Sequence, residues 1–313
     1  MKYIVLITNM DAQIEQQWLA LLQKRLNHEK ILLPDQITAD HAQQVDIAIV
    51  ANPNPEVVAR FPNLIWIQSL WVGVENLITT LPLDRIKLVK LNDPHLTQTM
   101  AEAVLAWTLY LQRNMPEYAL QQAQKKWLPI PYKSPQETRV SVLGAGTLSI
   151  AAVDILNRHG YPVCCWSRNA KKITGGQHFT EKSGLQSMLH KTDILINLLP
   201  LTPATHHLID ADLLKNLPKG SRFINFSRAA VVDTKALLAL LDESHIAHAV
   251  LDVFEQEPLP VESLIWQHSN ITVLPHISGP TNINSAAEIV ADNITNYRAT
   301  NIIPDAVDDE QGY

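Results

Sequence analysis

The chain has 313 residues, of which 46% are hydrophobic and 18% are charged. This composition is typical of a globular protein, because a disordered chain has fewer apolar residues and a larger charge imbalance. The 25 basic and 31 acidic residues give a net charge of -6. Since the chain has no excess of basic residues, we expect neither a nucleic acid nor a membrane surface as a partner.

The N-terminus and the cysteines predict a cytoplasmic protein. The apolar run from Tyr3 to Ile7 is too short for the hydrophobic region of a signal peptide, and no stretch approaches the length of a membrane span. Cys164 and Cys165 are neighbours in a predicted strand. Their side chains would point to opposite faces, so a disulfide between them is geometrically poor and both are expected to be reduced.

The first hundred residues alternate short apolar runs with a helical pattern. Helical spacing of Ile14, Trp18, Leu21 and Leu22 predicts a helix over residues 13–26. Strands are predicted at 3–7, 31–33, 47–51, 64–68 and 86–91. This alternation indicates a small α/β domain with a mostly parallel sheet.

A second α/β region follows a long helix. The apolar segment from Thr97 to Leu120 predicts one buried helix, and prolines between 129 and 135 then interrupt the chain. Six further strands are predicted at 140–143, 163–166, 194–198, 222–226, 249–253 and 271–274. Six strands at this spacing are typical of a doubly wound nucleotide-binding domain. A last helix is predicted over Ser285 to Tyr297.

A glycine turn directly follows the strand at 140–143. Its residues are Gly144, Ala145, Gly146, Thr147, Leu148 and Ser149. In a GxGxxG turn the glycines allow a tight bend, a close approach to a pyrophosphate and close packing of helix on strand. Ser149 replaces the third glycine but is still small. A turn that binds nothing is the alternative, which the strand, helix and second strand around this turn disfavour.

The end of the second strand predicts the cofactor. An acidic residue there would bind the ribose hydroxyls of NAD, but this chain has Ser167 and Arg168, followed by Lys171 and Lys172. A guanidinium suits a 2′-phosphate, so we predict NADPH, with NADH as the weaker alternative. For the two lysines alone, a solvated basic loop is a serious alternative.

Three ionisable residues follow strand ends in the second half. They are Arg228, Glu257 and His276. Ligands of doubly wound sheets bind outside the carboxyl ends of the strands, so these residues could meet beside the cofactor. A histidine can give a proton to a carbonyl, an arginine can bind a carboxylate, and a glutamate can orient the histidine. Each residue taken singly also has an ordinary structural interpretation.

These segments together resemble the D-isomer-specific 2-hydroxyacid dehydrogenase family, and within it the glyoxylate/hydroxypyruvate reductase A branch. The matching stretches are LWVGVE (70–75), VLGAGTLS (142–149), CWSR (165–168), INLLPLTPATHHLI (196–209), INFSRAAVVD (224–233), LDVFEQEPLP (251–260) and LPHISGPT (274–281). The resemblance implies NADPH-dependent reduction of glyoxylate and hydroxypyruvate to glycolate and D-glycerate. The alternatives are an NAD-linked enzyme of the D-lactate type and a dinucleotide-sensing protein without catalysis.

The resemblance also implies roles for individual residues. Arg228, Glu257 and His276 would be catalytic, and the loop from Trp71 through Val72 to Gly73 would offer backbone N–H groups to the substrate carboxylate. The residues expected to border the cofactor are Pro200, Thr205, Ser227 and Asp252. Trp71 stands where a small residue is usual, so it could narrow the pocket or simply point into the core. No set of histidines has metal-ligand spacing, and no metal is expected.

The domain organisation is likewise implied by the resemblance. A substrate domain would comprise residues 1–96 and 282–313, and a Rossmann-like NAD(P)-binding domain of residues 97–281 would be inserted between them. Both would be α/β domains with parallel sheets, Rossmann-like or flavodoxin-like in topology. The helix from Thr97 onward would help to form a homodimer.

Overall fold

The computed structural model describes residues 2–171 and 173–307, so Lys172 and the residues after 307 lie outside the description. The chain divides into two compact units, Met1–His95 with Thr281–Tyr313, and Leu96–Pro280. The second unit is therefore inserted into the sequence of the first. None of the helices in the described ranges has the length and apolarity that crossing a bilayer requires.

Strands and helices alternate along most of the described chain. The strands are β1 (Tyr3–Thr8), β2 (Ile31–Leu32), β3 (Val45–Ala51), β4 (Trp66–Ser69), β5 (Lys87–Val89), β6 (Val140–Leu143), β7 (Val163–Trp166), β8 (Gln177–Phe179), β9 (Ile194–Asn197), β10 (Ser221–Asn225), β11 (Ile246–Leu251) and β12 (Ile271–Val273). The α-helices are α1 (Ala12–Arg25), α2 (Ala39–Ala42), α3 (Pro55–Val58), α4 (Glu75–Thr80), α5 (Pro94–Gln112), α6 (Met115–Ala123), α7 (Thr147–Arg158), α8 (Glu181–Leu189), α9 (Ala211–Lys215), α10 (Thr234–Asp242) and α11 (Ile283–Thr300). Short 3-10 turns cover Pro34–Gln36, Pro135–Glu137, Ala229–Val231 and Leu264–Gln267.

The first unit is built on a five-stranded sheet in the order β2-β1-β3-β4-β5, with every pair parallel. This is the flavodoxin-like order of doubly wound folds. Asp11 starts α1 by accepting a hydrogen bond from the N–H of Gln13, and Trp18 and Leu22 bury the apolar side of this helix. The C-terminal helix α11 packs beside α1 on the same core.

The second unit is built on a seven-stranded parallel sheet in the order β12-β11-β10-β9-β6-β7-β8. If β6 is numbered 1 and the sheet is read from β8 to β12, the order is 3-2-1-4-5-6-7, which is the Rossmann order with one more parallel strand. The order reverses between β6 and β9. The two parallel α/β sheets confirm the predicted fold class. The sequence analysis predicted six strands here and missed β8, because the edge segment Gln177–Phe179 is three residues long and has a single apolar side chain.

The prediction of one helix from Thr97 to Leu120 is wrong, because this segment forms α5 and α6. Asn114 between them adopts a left-handed conformation with φ of 55°, which asparagine tolerates better than most residues. Pro116 lies in the first turn of α6, where its missing N–H needs no helical partner. The break was visible in the sequence only as the Asn-x-Pro pattern that precedes many helices.

The two cysteines are free, as expected. Cys164 packs against one apolar cluster of the second unit and Cys165 lies within another, which confirms that they occupy opposite faces of β7. Burial raises the pKa of Cys165 to about 12 and also raises that of Cys164. Both thiols therefore stay protonated at neutral pH, which disfavours nucleophilic chemistry.

Arg298 on α11 anchors this helix to the first unit's sheet. Its guanidinium donates to Asp46 at 2.5 and 2.9 Å and to Glu29 at 2.9 Å, and Asp46 is only 4% exposed. Burial by itself would lower the pKa of Arg298, but hydrogen bonds and charges from Asp46 and Glu29 outweigh it and raise that pKa. The arginine is thus charged whenever the chain is folded.

We expect Arg298→Met to lower the free energy of unfolding by about 3 kcal/mol, because it leaves a buried carboxylate poorly compensated. The matched control is Arg25→Met, which removes a more exposed ion pair between α1 and Glu288 of α11 and should cost less than about 1 kcal/mol. Urea unfolding followed by tryptophan fluorescence measures both. Equal effects of the two variants would contradict the proposed anchoring role.

Candidate active site

The three predicted catalytic residues lie on loops that follow neighbouring strands at one edge of the seven-stranded sheet. Asn225 at the end of β10 pairs with Leu251 at the end of β11, and Leu251 pairs with Val273 at the end of β12. Because these strands are parallel, their carboxyl ends lie side by side. The loops that carry Arg228, Glu257 and His276 therefore start next to one another.

His276 and Glu257 form a hydrogen-bonded pair. Nδ1 of His276 lies 2.7 Å from Oε2 of Glu257, and the other oxygen of Glu257 accepts from the N–H of Phe254 at 2.9 Å. A carboxylate can only accept, so Nδ1 carries a hydrogen and donates it. The side chain of His276 is 51% exposed, so its Nε2 remains available for proton transfer to a ligand.

A buried aspartate holds the loop that carries His276. Asp252 is 2% exposed, and its carboxylate accepts from the N–H of Ile277 at 2.7 Å and of Ser278 at 2.9 Å. His276 itself has φ of 53°, a strained value for a residue with a side chain. The two hydrogen bonds from Ile277 and Ser278 to Asp252 help to hold His276 in this strained backbone conformation. The sequence analysis assigned Asp252 only a cofactor contact and missed this role.

Arg228 lies on the loop that follows β10. It is partly buried, and one terminal nitrogen donates to the carbonyl of Ser227 at 2.8 Å. Its own carbonyl accepts from Asn225 at 3.3 Å, and the side-chain oxygen of Asn225 accepts from Asn197 at 3.0 Å. The sequence analysis missed this buried asparagine pair. Each asparagine directly follows apolar residues at the end of a strand, which was a visible signal.

The glycine turn has the geometry that a dinucleotide requires. Gly144 has φ of +112°, and an added Cβ would lie 2.8 Å from Oγ of Ser149 and 2.9 Å from the carbonyl oxygen of Leu198. Gly146 is the N-cap of α7, and an added Cβ there would meet nothing within 4 Å. The first turn of α7, which begins with Thr147 and Leu148, thus faces open space beside Gly146, where an anion could approach its N–H groups.

The basic loop after β7 lies directly beside the glycine turn. The N–H of Gly144 donates to the carbonyl of Trp166 at 2.8 Å, and Nζ of Lys171 donates to the carbonyl of Ala145 at 3.2 Å. Arg168 is exposed on the same loop. Lys171 therefore borders the turn and Arg168 lies on the same loop, while Lys172 is outside the described residues.

The remaining predicted cofactor residues shape the loop after β9. Oγ1 of Thr205 donates to the carbonyl of Pro200 at 2.7 Å and accepts from the N–H of Thr202 at 2.8 Å. The hydroxyl of Ser227 donates to the carbonyl of Leu199, which ties the loop after β10 to the loop after β9. These side chains hold the backbone at the point where the strand order reverses.

Trp71 in the first unit packs against its own core. The side chain lies on the apolar cluster that includes Trp66 and Leu70, and the backbone N–H of Trp71 donates to Oγ of Ser69 at 2.9 Å. This favours the core interpretation of Trp71 over the pocket interpretation. In the part of the chain that the structure describes, no protein oxygen accepts from the N–H of Val72 or Gly73, so both could bind an anion.

Comparison with known proteins identifies the family. The model of the D-isomer specific 2-hydroxyacid dehydrogenase NAD binding domain matches residues 105–278, more than half of the chain. The chain belongs to the D-isomer specific 2-hydroxyacid dehydrogenase family. It is also 34% identical over 304 residues to the glyoxylate/hydroxypyruvate reductase A of Yersinia enterocolitica, covering 95% of this chain and 96% of the relative.

Solved structures of the family have the same fold. A D-isomer specific 2-hydroxyacid dehydrogenase from Xanthobacter autotrophicus, in complex with NADPH and MES, is 35% identical with a TM-score of 0.92, covering 100% of this chain and 99% of that one. An NADPH-dependent glyoxylate/hydroxypyruvate reductase from Sinorhizobium meliloti, in complex with NADP and sulfate, is 26% identical with a TM-score of 0.91 and full coverage of both chains.

The two glycines of the turn should respond differently to alanine. Gly144→Ala should lower the free energy of unfolding by about 1–3 kcal/mol, because the positive φ is strained and the methyl group meets Ser149 and Leu198. Gly146→Ala should cost less than about 1 kcal/mol but weaken dinucleotide binding, since its methyl group enters the open space. Thermal unfolding and titration calorimetry separate the effects; unimpaired binding by Gly146→Ala would contradict the assignment of this space.

Proposed function

We propose that this protein is an NADPH-dependent reductase of small 2-oxo acids, which converts glyoxylate to glycolate and hydroxypyruvate to D-glycerate. The observation that carries the proposal is the His276–Glu257 pair, with a nitrogen–oxygen distance of 2.7 Å, at the carboxyl edge of a Rossmann sheet. The names of the Yersinia and Sinorhizobium relatives support the same reaction and substrates.

The catalytic residues have complementary tasks in this proposal. Bound NADPH supplies the hydride that reduces the carbonyl carbon. His276 gives a proton from Nε2 to the carbonyl oxygen as negative charge develops on it. Glu257 accepts from the Nδ1–H of the imidazole and so orients the ring with Nε2 available for the proton transfer. Arg228 binds the carboxylate of the 2-oxo acid and polarises its carbonyl group.

The residues around the glycine turn fit NADPH. We propose that Gly144 to Leu148 surround the pyrophosphate at the N-terminus of α7, where N–H groups favour an anion. Arg168 and Lys171, with Ser167 beside them, bind the 2′-phosphate, because the loop has cations and no acidic residue. The residues proposed to border the rest of the cofactor are Pro200, Thr205, Ser227 and Asp252.

The backbone of the loop after β4 is proposed to bind the substrate carboxylate. The N–H groups of Val72 and Gly73 suit an anion because they donate without adding a side chain to the pocket. Trp71 is proposed to support this loop from the core side, through its packing and its hydrogen bonds to Ser69.

We also propose the domain roles, the oligomeric state and the location. Residues 97–281 bind the cofactor, and residues 1–96 with 282–313 bind the substrate.

The chain is proposed to form a homodimer and to be located in the cytoplasm. The apolar segment after α6 supports a dimer, because Trp127 is 98% exposed there. The two protonated, unpaired cysteines suit a reducing compartment. Sedimentation of the intact chain would give twice the 35.1 kDa of one chain.

We expect His276→Ala to lower kcat for glyoxylate reduction by about 10²–10⁴-fold, because it removes the proton donor, and to leave NADPH binding unchanged. His190→Ala, at an exposed histidine after α8, is the control and should keep full activity. Oxidation of NADPH is followed by its absorbance, and binding by titration calorimetry. Full activity of His276→Ala would disprove the catalytic assignment.

Arg168→Ala should raise the Kd for NADPH by about 10–100-fold, because a charge-assisted hydrogen bond to the 2′-phosphate is lost. The Kd for NADH, which has no such phosphate, should stay the same. Arg158→Ala removes an exposed arginine from the far end of α7 and should change neither constant. If Arg168→Ala weakens both cofactors equally, the basic loop does not select NADPH.

A further inference from the structure

We propose that His178 is a positioning residue that sets the preference for NADPH by holding the basic loop, residues 167–171, through both of its ring nitrogens. The inference rests on the proposed binding of the 2′-phosphate by this loop. It adds a residue that does not itself contact the cofactor and that lies on β8, the strand that the sequence analysis missed.

The pairing of β8 with β7 directs His178 to the side of the glycine turn. His178 pairs with Cys165, and directly paired residues of neighbouring strands point to the same face of a sheet. The thiol of Cys165 donates to the carbonyl of Gly144 at 2.8 Å. His178 is half-buried, whereas its neighbour Gln177, which points to the opposite face, is exposed.

Both nitrogens of the His178 ring are bound to the basic loop. The N–H of Lys171 donates to Nδ1 at 3.3 Å, and Nε2 lies 2.9 Å from Oγ of Ser167. Since Nδ1 accepts, the hydrogen of the neutral ring is on Nε2, which donates to Ser167. The hydroxyl of Ser167 then donates onward to the carbonyl of Asn169 at 2.8 Å. The donors and acceptors match in this one tautomer.

These bonds hold two points of the loop that connects β7 to β8. Ser167 is the first residue after β7, Lys171 follows four residues later, and Arg168 lies between them. The side chain of Lys171 in turn donates to Ala145 in the glycine turn at 3.2 Å. A held loop loses less conformational freedom when Arg168 and Lys171 bind a phosphate, so the free energy of binding improves. NADH does not use these cations and gains nothing from the loop's order.

The edge strand has enough other support to form without this histidine. All three of its residues pair with β7, and the N–H of Ser167 donates to the carbonyl of Phe179 at 3.2 Å. Phe179 packs against the apolar cluster on the face of the sheet opposite to His178. A polar, half-buried ring that bridges two loop residues is therefore better explained by the loop than by the stability of the sheet.

The test compares three substitutions by titration calorimetry with NADPH and with NADH. His178→Phe keeps the ring volume and loses both hydrogen bonds, so the Kd for NADPH should rise about tenfold and the Kd for NADH should not change. His178→Asn keeps an acceptor near the position of Nδ1, and His178→Gln keeps a donor near that of Nε2. Each should recover part of the affinity for NADPH.

Gln177→Ala is the matched control on the same strand and should leave both dissociation constants unchanged. A second measurement does not depend on the cofactor at all. Long-range proton–nitrogen NMR spectra of histidine-labelled protein should assign the Nε2–H tautomer to His178, because Lys171 requires an acceptor at Nδ1. A ring with its hydrogen on Nδ1 would overturn the proposed bridging.

The outcomes separate this inference from the proposed function. If Arg168→Ala weakens NADPH selectively and His178→Phe leaves NADPH binding unchanged, the loop binds the phosphate but His178 does not position it. Equal weakening of NADPH and NADH by His178→Phe indicates a purely structural role and also overturns the inference. If the unmodified protein binds both cofactors equally and Arg168→Ala has no effect, the proposed cofactor itself is wrong.

Discussion

The parallel register of the seven-stranded sheet is the constraint on which the site depends. All strands of this sheet point the same way, so every chemically useful loop of the second unit leaves from one edge. The strand order reverses between β6 and β9. In such sheets the helices on the two sides of the reversal pack on opposite faces, which leaves a crevice at the carboxyl edge. Arg228, Glu257 and His276 come from three consecutive strands, and the glycine turn comes from the strand at the reversal.

Buried polar side chains convert this edge into defined loop geometry. Asp252 accepts two backbone N–H groups next to His276, and the pair of Asn197 and Asn225 links the ends of β9 and β10. Burying such polar groups without hydrogen-bond partners would cost free energy. Each of them therefore favours the one loop arrangement that supplies its partners. His178 has the same kind of role at the edge strand. His276, Arg168 and Lys171, which are proposed to act on ligands, are exposed, whereas Asp252 and the asparagine pair, which hold the loops, are buried.

The charge distribution matches two anionic ligands on an acidic protein. The chain carries a net charge of -6, so attraction of a 2-oxo acid and of NADPH has to come from local groups. The proposed local groups are Arg228, the basic loop with Arg168 and Lys171, and the free N–H groups of Val72 and Gly73. Backbone donors and a helix N-terminus add positive potential without changing the net charge. These local groups can attract the two proposed anions without a basic surface of the kind that binds nucleic acid.

The sequence by itself determined the fold class and the family and supplied the proposed site residues, because apolar periodicity and local motifs such as GAGTLS are properties of short segments. It could not indicate β8, since three residues form a strand only when β7 is beside them. The break at Asn114 also left little sign in the sequence, because the left-handed conformation of this residue competes closely with continuation of the helix. Only the tertiary structure showed that Asp252 holds the His276 loop and that His178 bridges Ser167 and Lys171. Those hydrogen bonds join residues on different strands and loops, and folding alone brings their atoms within 3.3 Å.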